Sequence, residues 1–76
     1  MTPAELRQAR RALGITGLEL GIALNVSDRT VRAWESGRRD GKSCPIPRSM
    51  AVLVRLALVS ASVRRELGIV SVPGLS

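Results

Sequence analysis

The segment from Thr16 to Gly37 constrains the fold of this chain more than any other, because its residues predict two short helices joined by a tight turn. Thr16 with Glu19 three residues later has the pattern of a capping box, in which each side chain bonds a free N–H at the start of a helix. Asn25 tolerates the left-handed backbone that reverses direction after a helix. Ser27 then has the position of an N-cap for a second helix.

Apolar spacing predicts which face each of these helices buries. Leu20 and Leu24 are four residues apart on the first helix, and Val31 and Trp34 are three apart on the second. The other faces of the second helix carry Asp28, Arg29, Thr30, Arg32 and Ala33. A short helix with a polar, arginine-bearing front, braced by another helix, has a geometry that fits the major groove of DNA.

The segment resembles the helix-turn-helix of the lambda-repressor-like (Cro, CI and XRE) family, which commonly runs Thr-Gln-x-Glu-Leu-Ala, Leu-Gly-Val-Ser and Thr-Val-x-x-Trp-Glu-x-Gly. The positions kept in register are Thr16, Glu19, Leu20, Leu24, Val26, Ser27, Thr30, Val31, Trp34, Glu35 and Gly37. Gly17 stands in place of a Gln that contacts the DNA backbone in the family, and Asn25 replaces the turn Gly. Gly21 replaces a small Ala, which keeps the helices close but costs about 1 kcal/mol of helix stability. The resemblance implies an all-α, five-helix domain.

Length and charge limit the kind of protein this is. The chain has 76 residues, with twelve Lys and Arg against six Asp and Glu, and its formal net charge is +6. A core of this size is marginal alone, so we expect one small domain that oligomerises. A balance this basic favours an anionic partner, most often nucleic acid or a lipid surface.

The residues that most enzymes use are sparse. The chain has no His and one Cys, and no Gly-rich phosphate loop follows a strand. Metal ligation, a nucleophile with its base and nucleotide binding all lack their usual residues. We therefore expect no catalytic site, no metal site, no cofactor and no small-molecule ligand. Cys44 has no partner for a disulfide within the chain, and we expect it to be incidental; the alternative is a loop thiol that pairs across a dimer.

The N-terminal residues predict a helix over residues 3–13. Thr2 and Glu5 form a second capping box, and a core stripe follows at Leu6, Ala9 and Leu13. This start has no resemblance to a secretory signal. No apolar run approaches the roughly 20 residues that cross a bilayer. The sequence therefore predicts a cytoplasmic protein without a membrane partner.

The second half of the chain predicts a loop, two helices and a tail. We expect a basic loop without strands at residues 38–46, a helix at 47–59, a break at 60–62, a helix at 63–67 and a loose tail from about residue 69 or 70. The domain then covers residues 1–69, with the helix-turn-helix at about 16–37 and dimerisation helices at about 47–67.

The resemblance places side chains at the start of the second helix of the motif against base edges. Arg29 is the first candidate, because an arginine can donate two hydrogen bonds to guanine O6 and N7. The alternative for Arg29 is a phosphate contact or a solvated charge. Asp28 either accepts from cytosine N4 or complements the helix dipole. Arg32 and Ala33 follow on the groove side, where Ala33 would meet a thymine methyl.

Hydroxyl and basic side chains around the motif are expected to contact the DNA backbone. The hydroxyl donors are Thr16, Thr30 and Ser36. The basic side chains are Arg38, Arg39, Lys42 and Arg48. The alternative for the basic set is a solvated loop that serves only solubility.

The resemblance also implies a structural ion pair between Arg10 of the first helix and Glu35 at the end of the third. Removing one member of such a pair would leave an unpaired charge. Trp34 is expected in the core, on the same face as Val31, rather than stacked on bases.

The helix at residues 47–59 is too apolar for a surface helix with one buried face. Leu53, Leu56 and Ala57 are expected to face the core. Met50, Val52 and Val59 then point elsewhere, and a second copy of the chain is the simplest partner for them. The alternative is that the fifth helix and the tail cover this face.

Together these features predict a sequence-specific regulator, most simply a homodimeric repressor that binds an inverted repeat in double-stranded DNA. The basic loop, the apolar fourth helix and the Ser27-Asp28-Arg29 start also resemble phage anti-CRISPR-associated autorepressors, which implies binding near the protein's own promoter. A protein-interaction adaptor or antitoxin-like partner that docks through the fourth helix is the alternative. RNA binding is a third, although RNA modules usually present exposed aromatic residues.

Overall fold

The computed structural model describes residues 1–69, which form a small, mostly helical domain with one two-stranded sheet. In chain order the elements are α1 Pro3–Leu13, α2 Gly17–Leu24, α3 Asp28–Ser36, β1 Arg38–Arg39, β2 Lys42–Ser43, α4 Arg48–Val59 and α5 Ala61–Glu66. The predicted bounds of the first three helices are confirmed, and the strands were not expected. The predicted tail at residues 70–76 lies outside the described residues. Between residues 1 and 69, no helix combines the length and apolar character that crossing a bilayer requires.

Side-chain caps define the starts of α1 and α2, as the sequence predicts. The Glu5 N–H donates to Thr2 Oγ1 at 3.1 Å, and the Thr2 N–H donates to Glu5 Oε1 at 2.9 Å. The hydrogen bonds from the Thr2 backbone and side chain lower the pKa of Glu5 below its ordinary value. Thr16 and Glu19 repeat the same reciprocal pair at α2. Local sequence therefore specifies where both helices begin.

The turn between α2 and α3 lies directly against the backbone of α2. Asn25 has the predicted left-handed conformation, with φ of 59°. The Val26 N–H then donates to the Gly21 carbonyl at 2.8 Å. A Cβ added to Gly21 would lie 2.7 Å from the Val26 carbonyl oxygen, a separation that a carbon atom cannot adopt without movement of the backbone. The turn thus packs against α2 at Gly21, as expected, and the two are closer there than an alanine side chain permits.

We predict that Gly21→Ala destabilises the domain by about 1–3 kcal/mol, because the strain of overpacking outweighs the higher helix propensity of alanine. Chemical denaturation followed by circular dichroism measures the change. Gly17→Ala is the matched control, since its Cβ would meet side chains and no backbone: Asp28 Oδ1 at 3.1 Å and Val31 Cγ1 at an ordinary 3.8 Å. A Gly21→Ala protein as stable as Gly17→Ala would show that the turn can move away at no cost.

The helices enclose two adjoining apolar clusters. The larger draws on α1 to α4 and contains Leu6, Ala9, Leu20, Leu24, Val31, Trp34, Ile46, Ala51 and Val54. The smaller contains Leu13, Ala57 and Ile69. Trp34 therefore lies in the core, as predicted. Ile69 is buried there as well, which corrects its assignment to the start of a loose tail.

Helix α4 is rotated relative to the prediction. Its core face is formed by Ala51, Val54 and Ala57. Leu56, expected in the core, is 43% exposed, while Met50, expected outside, packs against the larger cluster. The sequence left the rotation undetermined because nearly every position from 50 to 59 is apolar, so no polar face marks the solvent side.

The break between α4 and α5 is shorter than predicted. Ser60 alone separates the two helices, with an extended backbone, and its Oγ accepts a hydrogen bond from the Val63 N–H at 3.3 Å. Because Ser60 caps α5, that helix begins at Ala61, two residues before its predicted start.

The segment after α3 is a β-hairpin rather than an irregular loop. Arg38 pairs with Ser43 and Arg39 with Lys42 in antiparallel register. Asp40 and Gly41 form the tip, with φ of 53° and 78°. Positive φ at both central residues is typical of the type I′ turn, for which Asp-Gly is among the strongest sequence signals. That signal is present in the sequence, and the assignment of a strand-free loop was wrong.

Candidate nucleic-acid interface

Helix α3 buries one side and exposes an arginine-bearing front. Val31 and Trp34 are in the core, whereas the side chains of Arg29 and Arg32 are 72% and 79% exposed. These two arginines extend from a helix that α1 and α2 hold from behind. The front therefore presents two cationic hydrogen-bond donors on a supported helix.

Ala33 does not share that front. It is only 6% exposed, and it lines a concavity between α3 and the hairpin. The residues around that concavity are Arg29, Arg32, Ala33, Ser36, Arg38, Arg39 and Asp40. Its methyl group therefore offers little surface to a thymine, and the expected base contact of Ala33 stays a prediction.

Each arginine of the front has a carboxylate nearby. Asp28 Oδ2 lies 3.1 Å from an Nη of Arg32, one helical turn away. Asp40 Oδ1, at the tip of the hairpin, lies 4.0 Å from Nη2 of Arg29. Exposed ion pairs contribute little to folding stability. The geometry adds a third role for Asp28, as a partner of Arg32, to the two that the sequence suggested.

Three hydroxyls were expected to donate to phosphates, and they differ in availability. Thr16 Oγ1 accepts from the Glu19 N–H, which leaves its own proton free. Thr30 Oγ1 and Ser27 Oγ share a hydrogen bond of 2.9 Å in which either can be the donor.

Ser36 is the exception among the three hydroxyls. Its Oγ lies 3.1 Å from the Ala33 carbonyl and 3.0 Å from the Arg38 carbonyl, and it accepts from the Arg38 N–H at 3.3 Å. A hydroxyl has one proton, and both carbonyls within reach of that proton are internal. Ser36 therefore fastens the hairpin to α3, and its expected role as a phosphate donor stays a prediction.

The hairpin places only part of the predicted basic set beside α3. Arg38 and Arg39 line the concavity together with Arg29 and Arg32. The Cys44 N–H donates to the Gly37 carbonyl at 2.9 Å and ties the second strand to the end of α3. Lys42 and Arg48 are exposed but do not line that concavity.

A second concavity lies on the other side of Arg32, between α1, α3 and the start of α2. Its lining includes Arg7, Arg10, Thr16, Gly17 and Arg32. Arg32 and Ser36 border both concavities, so they form the ridge between them. The start of α2 and the front of α3 thus border a continuous, arginine-rich surface.

Glu35 fixes α3 against α1. Arg10 and Glu35 form a bidentate ion pair, in which Arg10 Nε lies 3.0 Å from Glu35 Oε2 and Arg10 Nη2 lies 3.1 Å from Glu35 Oε1. Arg10 Nη1 also donates to the Ile15 carbonyl at 3.1 Å, and Arg7 donates to the Glu35 carbonyl. The structure thus forms the ion pair that the resemblance implies. Arg7 is a further anchor that the sequence did not identify, because nothing local marks its carbonyl partner.

No cluster of three or more His, Cys, Asp or Glu side chains suited to a metal ion occurs within the described part of the chain. Comparison of the chain with protein-family models, curated proteins and solved structures found no match.

Proposed function

We propose that the protein is a sequence-specific DNA-binding regulator in which α2 and α3 form a helix-turn-helix. The observation that carries the proposal is the front of α3, where Arg29 and Arg32 are exposed on a helix whose opposite face is fixed in the core. A helix of this kind fits the major groove, and arginine is the side chain that most often reads guanine there.

The surrounding residues support contacts to the DNA backbone. We assign this role to Thr16, Thr30, Arg38, Arg39, Lys42 and Arg48, which present hydroxyl or cationic donors. Arg38 and Arg39 have the strongest case because the hairpin holds them beside α3. Phosphate contacts position the protein, while base contacts from Arg29 and Arg32 provide the preference for sequence.

We further propose that the protein acts in the cytoplasm as a homodimer whose interface is the outer face of α4. Val52, Leu56 and Val59 are exposed and spaced four and three residues apart, so they form one apolar stripe. Val59 is 82% exposed within a single copy. The main packing partners of α4 are α1 and α5, whereas those of α3 are α1 and α2. Two copies joined through α4 would leave both α3 fronts available.

A two-fold dimer predicts an inverted-repeat site. The half-sites would lie on one face of the DNA, about 10 base pairs or a multiple of that apart. Occupation of such a site within a promoter, including its own, would repress transcription by occlusion. Selection of bound sequences from a random pool of double-stranded DNA tests this proposal directly.

We predict that Val52→Glu converts the dimer into a folded monomer, because it places a charge in the centre of the apolar stripe. Sedimentation velocity measures the mass, and circular dichroism checks the fold. Ser62→Glu adds the same charge on α5, outside the stripe, and should remain dimeric. A dimeric Val52→Glu protein would place the interface elsewhere.

A second candidate function is a protein-interaction adaptor, and exposed apolar residues favour it. Besides the α4 stripe, Leu18 and Ile22 of α2 are 58% and 72% exposed. Such surfaces suit partner proteins. An adaptor, however, has no need of the arginine-bearing front of α3, which is why we place it second.

A further inference from the structure

The tip of the hairpin carries a negative charge on an otherwise basic ribbon. Asp40 follows Arg38 and Arg39 and precedes Lys42. Its carboxylate lies 4.0 Å from the guanidinium of Arg29, and the side chain is 80% exposed. A carboxylate on a surface that approaches DNA repels phosphates, so its presence beside the proposed reading arginine calls for an explanation.

The backbone fixes the position of Asp40 relative to α3. Two residue pairs between the strands hold the hairpin in register, and the tight turn determines the direction of its tip. At the base of the hairpin, the Ser36 hydroxyl bonds the Arg38 backbone, and the Cys44 N–H donates to the Gly37 carbonyl. The approach of Asp40 to Arg29 therefore follows from the fold of the hairpin.

Turn geometry allows an aspartate at this position but does not require its charge, and folding stability does not require it either. An ion pair this exposed contributes little to folding. Asn-Gly suits a type I′ turn as well as Asp-Gly does, and it would carry no negative charge. The feature that distinguishes Asp40 from an asparagine is its charge next to Arg29.

We propose that Asp40 is a positioning residue that sets sequence specificity through Arg29, an inference that rests on the proposed function. The carboxylate attracts one edge of the planar guanidinium and leaves another edge free to donate to guanine O6 and N7. Within α3, Asp28 lies closer to Arg32, at 3.1 Å. An arginine held in this manner loses less side-chain freedom on binding and is kept from turning to a phosphate.

The test is Asp40→Asn, which keeps the turn and removes the charge. Bound sequences are selected from one random double-stranded DNA pool with four proteins: wild type, Asp40→Asn, Arg29→Ala and the double variant. The affinity of each protein is then measured for the enriched site and for its single-base variants. Loss of guanine readout at one position corresponds to a fall in discrimination of about fivefold or more. We expect Asp40→Asn to show this fall at the base that Arg29 reads. In the Arg29→Ala background it should change discrimination at no position.

Glu66→Gln, in α5, removes one exposed negative charge away from the hairpin and controls for net charge. Asp40→Asn could instead raise the affinity for all sequences equally and keep the wild-type discrimination between bases. Asp40 would then act only by electrostatic repulsion of DNA, and the inference is overturned. Equal effects with and without Arg29 would overturn it as well. A folded wild-type protein that enriches no sequence would instead refute the proposed function, and the role of Asp40 with it.

Discussion

Arg10→Ala is expected to lower the free energy of unfolding by about 2–4 kcal/mol, a large part of the stability of a domain this small. The substitution removes three hydrogen bonds to the Glu35 carboxylate and the bond to the Ile15 carbonyl. The Glu35 side chain is only 11% exposed, so water cannot fully replace its partner. Thermal and urea unfolding measure the loss, and the melting temperature should fall by roughly 10–25 °C.

Arg11→Ala provides the control for Arg10→Ala, since it removes an exposed arginine from the same helix. It should change stability by less than about 0.5 kcal/mol. Adding Glu35→Ala to Arg10→Ala should cost less than the sum of the two single substitutions, because the unpaired charge is then gone. If Arg10→Ala proved as stable as Arg11→Ala, the ion pair would not be what fixes α3 against α1.

Arg29→Ala is expected to abolish preference for the selected site while weak, sequence-independent binding remains. An arginine that reads guanine contributes about 1–3 kcal/mol of discrimination against other bases in each half-site. The phosphate contacts proposed for the hairpin do not depend on sequence and should persist. Fluorescence anisotropy with the enriched duplex and a scrambled duplex, at near-physiological salt, measures both affinities.

Arg65→Ala removes the same charge from α5 and should keep the ratio of the two affinities. If Arg29→Ala instead weakened binding to both duplexes by the same factor, Arg29 would be a phosphate contact. Base reading would then fall to Arg32.

The parts of this fold that the sequence predicted are those with local causes. Both capping boxes and the left-handed Asn25 depend on residues within a few positions of each other, and these signals placed the first three helices. The Asp40-Gly41 signal was equally local, and it could have identified the hairpin.

The remaining features depend on tertiary packing. The sequence does not predict the rotation of α4, because its apolar run has no polar side that marks the solvent face. The exposure of Leu56 therefore follows only from the packing of the folded domain. The burial of Ala33 in the concavity between α3 and the hairpin likewise depends on how these two elements pack. Asp40 lies on the hairpin and Arg29 on α3, so their proximity depends on how these two elements pack. No rule based on sequence spacing predicts it.

Sequence-specific DNA binding is tested most directly by selection of bound duplexes from a random DNA pool, with the purified wild-type protein at near-physiological salt. We expect enrichment of an inverted repeat with half-sites about 10 base pairs or a multiple apart. We also expect that one guanine in each half-site loses its enrichment in Arg29→Ala. If the folded protein enriched no sequence, the front of α3 would not read DNA, and the adaptor function would take its place.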